Sequence, residues 1–451
     1  MTRKKLFGVI LVVVLVAMFA LGCQADDVAD PDEEVVEELE TIVIGVVEPI
    51  TGPMAPLGTA EWRAIQLAVE MVNEKGGVMG QYPVEVVFAD SESDPGTGSS
   101  EAERLITMHD VPVILGSYSS AIAMAISEVA ERNQVVLWEM SGTSDDLLKR
   151  GYEWTYRTES QGSSWGAAGA DFAADVAPEA LGKDISEVRV AIIHEDGPYG
   201  AMVSEGSRVR VAEHGMDLVL DEGYSAESLD LSDLVMSLRR AEPDVLLQTS
   251  YVADAILLMR QMKELDFTVP MLVTHSGGHS VQAFVEGVGE DANYIATVDP
   301  TPCNPNVSAF TPELQELWAE FVDRWTELYG FPPYHHVEHR QFAQTIILLE
   351  EVLPVAIEEY GGVTSENIRY AIWDLDIPEG ENLMGHPVKF ATPDEPWTDP
   401  WLGNEHIGQN IYAHAFINQW VDGMLHNVWP EPYNIMEPVA PLPEEHPLAP
   451  R

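Results

Sequence analysis

The sequence predicts an α/β protein built as two doubly wound, Rossmann-like lobes. From Thr41 onward, short apolar runs alternate with amphipathic stretches of helical period. The alternation stops near Arg157 and then restarts with the same layout. Roughly 400 residues of such pattern exceed what one hydrophobic core organises, which calls for two units. Strands this apolar are buried on both faces, the mark of parallel sheets wound right-handedly with helices on each side.

In chain order, "TIVIGVV" (Thr41–Val47) is a buried strand, and "AEWRAIQLAVEMVNEKGG" (Ala60–Gly77) is a helix stopped by glycines. Strand Val84–Asp90 and a helix over Gly98–Met108 follow. Strand Val111–Gly116, helix Ala121–Asn133 and strand Val135–Met140 complete the first series. The second series opens with helix Trp165–Val176, strand Val188–Glu195, helix Gly200–His214 and strand Asp217–Gly223. It continues through helix Asp230–Glu242, strand Asp244–Ser250, helix Asp254–Leu265 and strand Val269–His275. After "NYIATVD" (Asn293–Asp299) come two long helices, Pro312–Tyr329 and about Glu338–Tyr360. A late strand spans Tyr412–Gly423, and the proline-rich, acidic stretch from Trp429 is a strap or a disordered tail.

The N-terminus follows export grammar: basic Arg3, Lys4 and Lys5, an apolar run Leu6–Leu21, then small residues before Cys23. That run is short for a spanning helix, which needs roughly 20 apolar residues. "ALGC" (Ala20–Cys23) resembles a bacterial lipobox, with alanine where leucine is commoner; the resemblance implies cleavage before Cys23 and lipid on its sulfur. The alternative is a plain membrane anchor with an incidental cysteine. Residues 24–40, acidic and without aromatics, form a flexible tether. Cys303 is the other cysteine, so a lipidated Cys23 leaves no intrachain disulfide.

The formal charge is −52, and beyond the leader the lysines are Lys75, Lys149, Lys183, Lys263 and Lys389. Such acid excess argues against nucleic acid, whose binding runs on cationic contacts to phosphate. It is tolerable where salt screens self-repulsion, since the Debye length falls to about 3 Å at 1 M. A halophilic source fits, with a generally acidic secreted protein as the alternative.

Several stretches together resemble the leucine/isoleucine/valine-binding family of exported solute receptors. They are "IGVVEPITGPMAPLGTAEWRAIQLAVEMVNEKGGVMG" (Ile44–Gly80), "DSESDPGTGSSEAERLI", "ILGSYSSAIAMAISEVAE", "WEMSGTSDDLLKRGYEWTYRT" and "AIIHEDGPYG". The likeness runs from Thr41 to about Val428. It implies a type I periplasmic-binding-protein fold: two lobes, three crossover segments, a ligand closed between them, and an ABC importer as partner. The expected lobes are 41–158 with 299–408 and 159–298 with 409–428, preceded by a signal peptide (1–22) and tether (23–40) and followed by a tail (429–451).

In an open α/β sheet, ligands sit beyond the carboxyl ends of the strands, where helix N-termini offer free N–H groups to a carboxylate. "GSYSSA" is such a junction, and Ser119 or Ser120 can cap the helix or bind the ligand. The resemblance places the α-carboxylate on Ser120, and the ligand's polar end on Ser141 and Thr143 beside Gly142. Thr143 with Asp145 or Asp146 can equally form a cap. It also implies that Tyr199 and Tyr251 close over the ligand, and that Leu57 meets its side chain. Turn residue is the alternative for Tyr199. Where the family places an acid for the α-ammonium, this sequence aligns His275, and a second acidic position aligns with Gly162. The ligand is therefore expected to be a small carboxylate-bearing molecule, an amino acid, an amide or a related organic acid, with a simple aliphatic amino acid disfavoured unless Glu139 or Glu159 replaces the missing partner.

"YHHVEHRQ" gathers His335, His336, Glu338 and His339, but lacks the His-Glu-x-x-His spacing; a ligand contact or polar helix entry is preferred to a metal. No Gly-x-Ser-x-Gly elbow and no phosphate loop are present. The sequence therefore assigns no enzyme chemistry, cofactor or metal. A lipoprotein that regulates an envelope enzyme by protein contact is the competing reading.

Overall fold

The computed structural model describes residues 41–450 except Tyr334, and the backbone alone at His336. The leader, Cys23 and the acidic tether lie outside the described residues. Among those described, no helix is long and apolar enough to cross a membrane.

Five parallel strands form the first sheet: β1 (Ile42–Glu48), β2 (Val84–Asp90), β3 (Val113–Gly116), β4 (Val136–Glu139) and β5 (Thr155–Arg157), in the order β2-β1-β3-β4-β5. Helices α1 (Ala55–Glu74), α2 (Pro95–His109) and α3 (Ser120–Asn133) connect them. Alternate strand residues feed two cores. Ile44, Val46, Val113 and Leu115 join α1 on one face. Val47, Ile114 and Leu137 join Leu105, Ile122 and Ile126 on the other.

The second sheet repeats that order in β6 (Arg189–Glu195), β7 (Asp217–Tyr224), β8 (Val245–Thr249), β9 (Met271–His275) and β10 (Ala296–Asp299), arranged β7-β6-β8-β9-β10. Its helices are α4 (Gly162–Leu181), α5 (Pro198–His214), α6 (Ser232–Ala241), α7 (Val252–Glu264) and α8 (Gln282–Val288). The chain then returns to the first core through α9 (Pro312–Tyr329), α10 (His336–Ile346), α11 (Leu353–Glu358) and α12 (Ser365–Asp374). A two-residue ladder follows, β11 (Trp397–Thr398) with β12 (Glu405–His406). The antiparallel pair β13 (Phe416–Val421) and β14 (Met424–Trp429) finishes the second sheet.

Two elements differ from the sequence expectation for local reasons. The expected single strand over Tyr412–Gly423 is one arm of a hairpin. Asp422 and Gly423 both have positive φ (51° and 78°), which makes "DG" a tight turn into β14. The long helix expected near Glu338–Tyr360 is interrupted by a π-helical segment, Ile347–Val352, just ahead of Pro354. Proline cannot donate to the helix, and widening the turn accommodates it.

The chain passes between the lobes after β5, after β10 and between β12 and β13, and Arg157 pairs with Gln409 where the first and third crossings lie side by side. Residues 430–450 form a strap across the second lobe. Leu442 N donates to Pro270 O (2.8 Å) and Val269 N to Leu448 O (2.7 Å), and Leu442, Leu448 and Ala449 are buried.

Candidate functional site

The carboxyl ends of β3 and β4 face those of β8 and β9 across a cleft whose walls close on a cavity of about 20 Å³, little more than room for one water. From the first lobe, Tyr118, Ser119, Ser120, Ser141 and Thr143 line it; from the second, Trp165, Tyr199, Tyr251, Ser276 and Gly277 do so, and Arg340 of α10 completes the wall.

The hydroxyls stand at the junction the sequence indicated, but not as caps. Ser119 occupies the N-cap position of α3 with extended backbone, yet its side chain makes no capping hydrogen bond. Ser120 Oγ instead accepts from Ser144 N at 3.1 Å, tying the β3 and β4 loops together. Ser141 Oγ donates to Glu61 Oε1 (2.5 Å) and accepts from Arg340 Nη2 (2.6 Å). Gly142 contributes backbone only: its N–H donates to Glu139 and its carbonyl accepts from Arg157 Nη1 (2.8 Å). A Cβ at Gly142 would lie 2.6 Å from the Ala123 Cβ, so a side chain has no room there.

Behind this wall lies a buried ion network. Arg340, 1% exposed, donates to Glu159 Oε2 (2.9 Å) and Glu61 Oε1 (2.7 Å), while its Nε has no hydrogen-bond partner. The Tyr118 hydroxyl on the cavity wall is likewise without one. Burial dominates the acids here. It lifts Glu139 to about 7 and Glu159 to about 8, the latter despite Arg340. Burial and repulsion from Glu61 push Glu48 well above the usual carboxylate range.

The second-lobe wall is aromatic. Tyr199 and Tyr251 ring centroids are 5.7 Å apart, Trp165 meets Tyr199 edge-on at 6.2 Å, and Tyr118 meets Tyr251 edge-on at 6.1 Å. Tyr199 sits in the first turn of α5 with its hydroxyl donating to His275 O (2.8 Å), so it is a buried wall residue and not a surface turn.

Three expected site residues do not line the cavity. The His275 ring turns away into the second lobe, with Nδ1 3.0 Å from Thr249 Oγ1. Nε2 presses on α4, where a Cβ on Gly169 would lie 2.8 Å from it. Burial lowers its pKa to about 4, so it is a neutral core ring, and the wall positions fall to the next residues, Ser276 and Gly277. Leu57 packs with Tyr118 and Val252 in an apolar cluster shared by the two lobes. Gly142 acts through its backbone, as above.

Glu139 and Glu159 are buried behind the wall and do not line the cavity. His335 and His339 do not reach it either. His335 lies against Phe331 and Trp420, and His339 against Trp318, with Nε2 2.6 Å from Leu383 O. Sequence reading missed Arg340, the very next residue, along with Tyr118, Trp165, Ser276 and Gly277. No local signal marked Arg340: α10 carries several polar residues beside it, and its acid partners Glu61 and Glu159 lie far away in sequence.

A family model described as "periplasmic binding protein" matches residues 41–401. The chain is 32% identical over 397 residues to Leu/Ile/Val-binding protein homolog 7 of Brucella melitensis, covering 88% of this chain and 93% of that one. Homolog 8 of Brucella abortus is 31% identical, covering 87% and 91%. Among solved structures, the leucine-binding protein LivK of Thermotoga maritima superposes with a TM-score of 0.68 at 22% identity, covering 87% and 99%. LivJ of Streptococcus pneumoniae, in complex with isoleucine, gives 0.68 at 19%, covering 89% and 100%. An ABC transporter solute-binding protein of R. palustris, in complex with benzoate, gives 0.66 at 17%, covering 86% and 95%. Two lobes of the same strand order, a cleft at their strand ends and these sequence matches agree: the chain belongs to the periplasmic binding protein family, with the type I fold of its leucine/isoleucine/valine-binding branch.

Proposed function

We propose that this protein is the substrate-binding lipoprotein of an ABC importer, and that it captures a small carboxylate lacking an α-amino group. The observation that carries the ligand class is the charge of the wall. The cavity is lined by one cation, Arg340, and by no carboxylate. A buried ammonium without a counter-charge is costly, whereas a carboxylate finds hydroxyls, the N-terminus of α3 and an arginine Nε with no partner. The Trp165–Tyr199–Tyr251 face suits an apolar or aromatic body. Benzoate and isoleucine in the two structural neighbours span the two alternatives.

The mechanism is hinge closure. The first lobe takes the carboxylate, the second swings its aromatic face over the body, and ligand bridging both lobes stabilises the closed form that a permease recognises. Lipid on Cys23 and the tether of residues 24–40 hold this body at the outer face of the membrane, and the acidic surface suits high salt. Titration calorimetry of the chain from Thr41 onward, in molar salt, tests the ligand class with benzoate, isovalerate and leucine. Binding of a carboxylate without an amino group, and none of leucine, is expected. Tight leucine binding overturns the ligand class. Absence of binding by any small acid moves the protein to the competing reading, regulation by protein contact.

A further inference from the structure

Away from the cavity, Asp145, Asp399 and His406 each direct one potential ligand atom to a common point, with these atoms within 4.8 Å of one another and all three residues buried. Their partners leave a specific set of atoms free. Asp145 Oδ1 accepts from Ser163 N at the start of α4 (3.1 Å), while Oδ2 has no partner. Asp399 is aimed by backbone: Oδ1 accepts from Trp401 N and Leu402 N, and Oδ2 from Asn404 N. His406 is fully buried in β12 and neither ring nitrogen has a hydrogen-bond partner; Asp399 Oδ2 is 3.6 Å from Nε2. Two carboxylates and an imidazole beneath the surface leave an oxygen and both ring nitrogens without a hydrogen bond, a gap that a shared proton or a cation can fill. Arg157 offsets part of the charge, but its hydrogen bonds go to Gln409, Gly142 O and Ser144 O.

We propose that Asp145, Asp399 and His406 bind one divalent transition-metal ion of the Zn²⁺ class, and that the ion clamps the crossover region to the ligand-binding loop. The donor set is two oxygens and one nitrogen, with a fourth position for water, a combination Zn²⁺ accepts with bonds of about 2.0–2.2 Å. Ligand atoms around a tetrahedral ion stand about 3.4 Å apart, so the His406–Asp399 pair at 3.6 Å is already near that spacing, and the remaining atoms, within 4.8 Å, must draw in by about 1 Å. The ion's charge matches two buried carboxylates. It would join three parts of the chain: the loop after β4, whose Thr143 lines the cavity; α4, through Ser163; and the β11–β12 ladder that leads into the third crossing.

The test uses the chain from Thr41 onward, stripped with a chelator and dialysed, with Zn²⁺ and Co²⁺ as probes and a hundredfold excess of Mg²⁺ to occupy surface acids. We expect one Zn²⁺ retained per chain, a melting point several degrees higher with Zn²⁺ than without, and a Co²⁺ visible spectrum of four-coordinate intensity. His406→Gln and Asp399→Asn are expected to abolish all three effects. Stoichiometric uptake that persists in both variants overturns the assignment, because the exposed acids would then hold the metal. Absence of uptake by the unaltered chain also overturns it, leaving a protonated His406 bridging two aspartates. Should a variant fail to fold, the Co²⁺ spectrum of the unaltered chain decides, since carboxylates and water alone give weak six-coordinate bands.

Discussion

The first-lobe wall of the cleft presents Ser119, Ser120, Ser141 and Thr143 backed by Arg340, whereas the second-lobe wall presents Trp165, Tyr199 and Tyr251. Each lobe also buries ionisable groups, and burial keeps histidines neutral in both, His339 and His386 in the first. In the first, Arg340 bonds Glu61 and Glu159, while Glu139 and Arg157 lie in the same buried cluster of charge. In the second, His275 and His279 are driven neutral by burial, to about 4 and about 3. One wall offers hydroxyls and a cation, and the other offers aromatic area. In the reading proposed above, an anionic head meets the first wall and an uncharged body the second.

The comparison is broken most severely at Arg340. Arg340→Ala strands Glu61 and Glu159 in the core, and removing one partner of a buried pair costs about 3–5 kcal/mol. Urea unfolding should show that loss, and Arg340→Lys should recover only part of it, because one ammonium cannot reproduce the forked contacts. Next comes the aromatic wall. Tyr251→Ala should weaken ligand binding by about 2 kcal/mol, roughly 30-fold in Kd, with little effect on folding, as read by calorimetry. Gly142→Ala should destabilise by about 1–3 kcal/mol through overpacking against Ala123, measured by the same unfolding assay. Tyr199→Phe removes only the bond to His275 O and should cost about 1 kcal/mol.

The smallest effect sharpens the contrast through pH. Glu139 and Glu159 hold protons to about 7 and about 8 in the folded chain, above their unfolded range, so their folded forms bind more protons than the unfolded ones. Stability should therefore fall as pH rises through about 6.5 to 8.5. The buried histidines, already neutral in both states over most of that window, contribute little to the slope. Melting curves across it should show the decline, and Glu139→Gln should flatten it.

The alternation of strands and helices was legible because each element buries a continuous apolar face, as in α1 or β8. Elements that escaped notice carry weak patterns: β5 has three residues, and α12 buries only Ile368, Ala371 and Ile372. The cleft's first wall was legible for a related reason, since hydroxyls at strand ends stand out against apolar strands. His275 misled because a shift of one or two residues past a strand end decides between the core and the cleft. Arg340 and the Asp145–Asp399–His406 cluster were hidden because their members lie far apart in sequence: 279 residues separate Arg340 from Glu61. No local pattern announces a meeting across that distance.

The strap gives the molecule's biosynthesis a definite order. Val269 pairs with Leu448, and β13 and β14 complete a sheet begun at Arg189. The first lobe likewise waits for α9 through α12. Neither lobe can close its core until nearly the whole chain has left the ribosome, and such long-range closure is slow. A polypeptide wired this way stays threadable for most of its synthesis, which suits passage through a narrow export channel before folding begins.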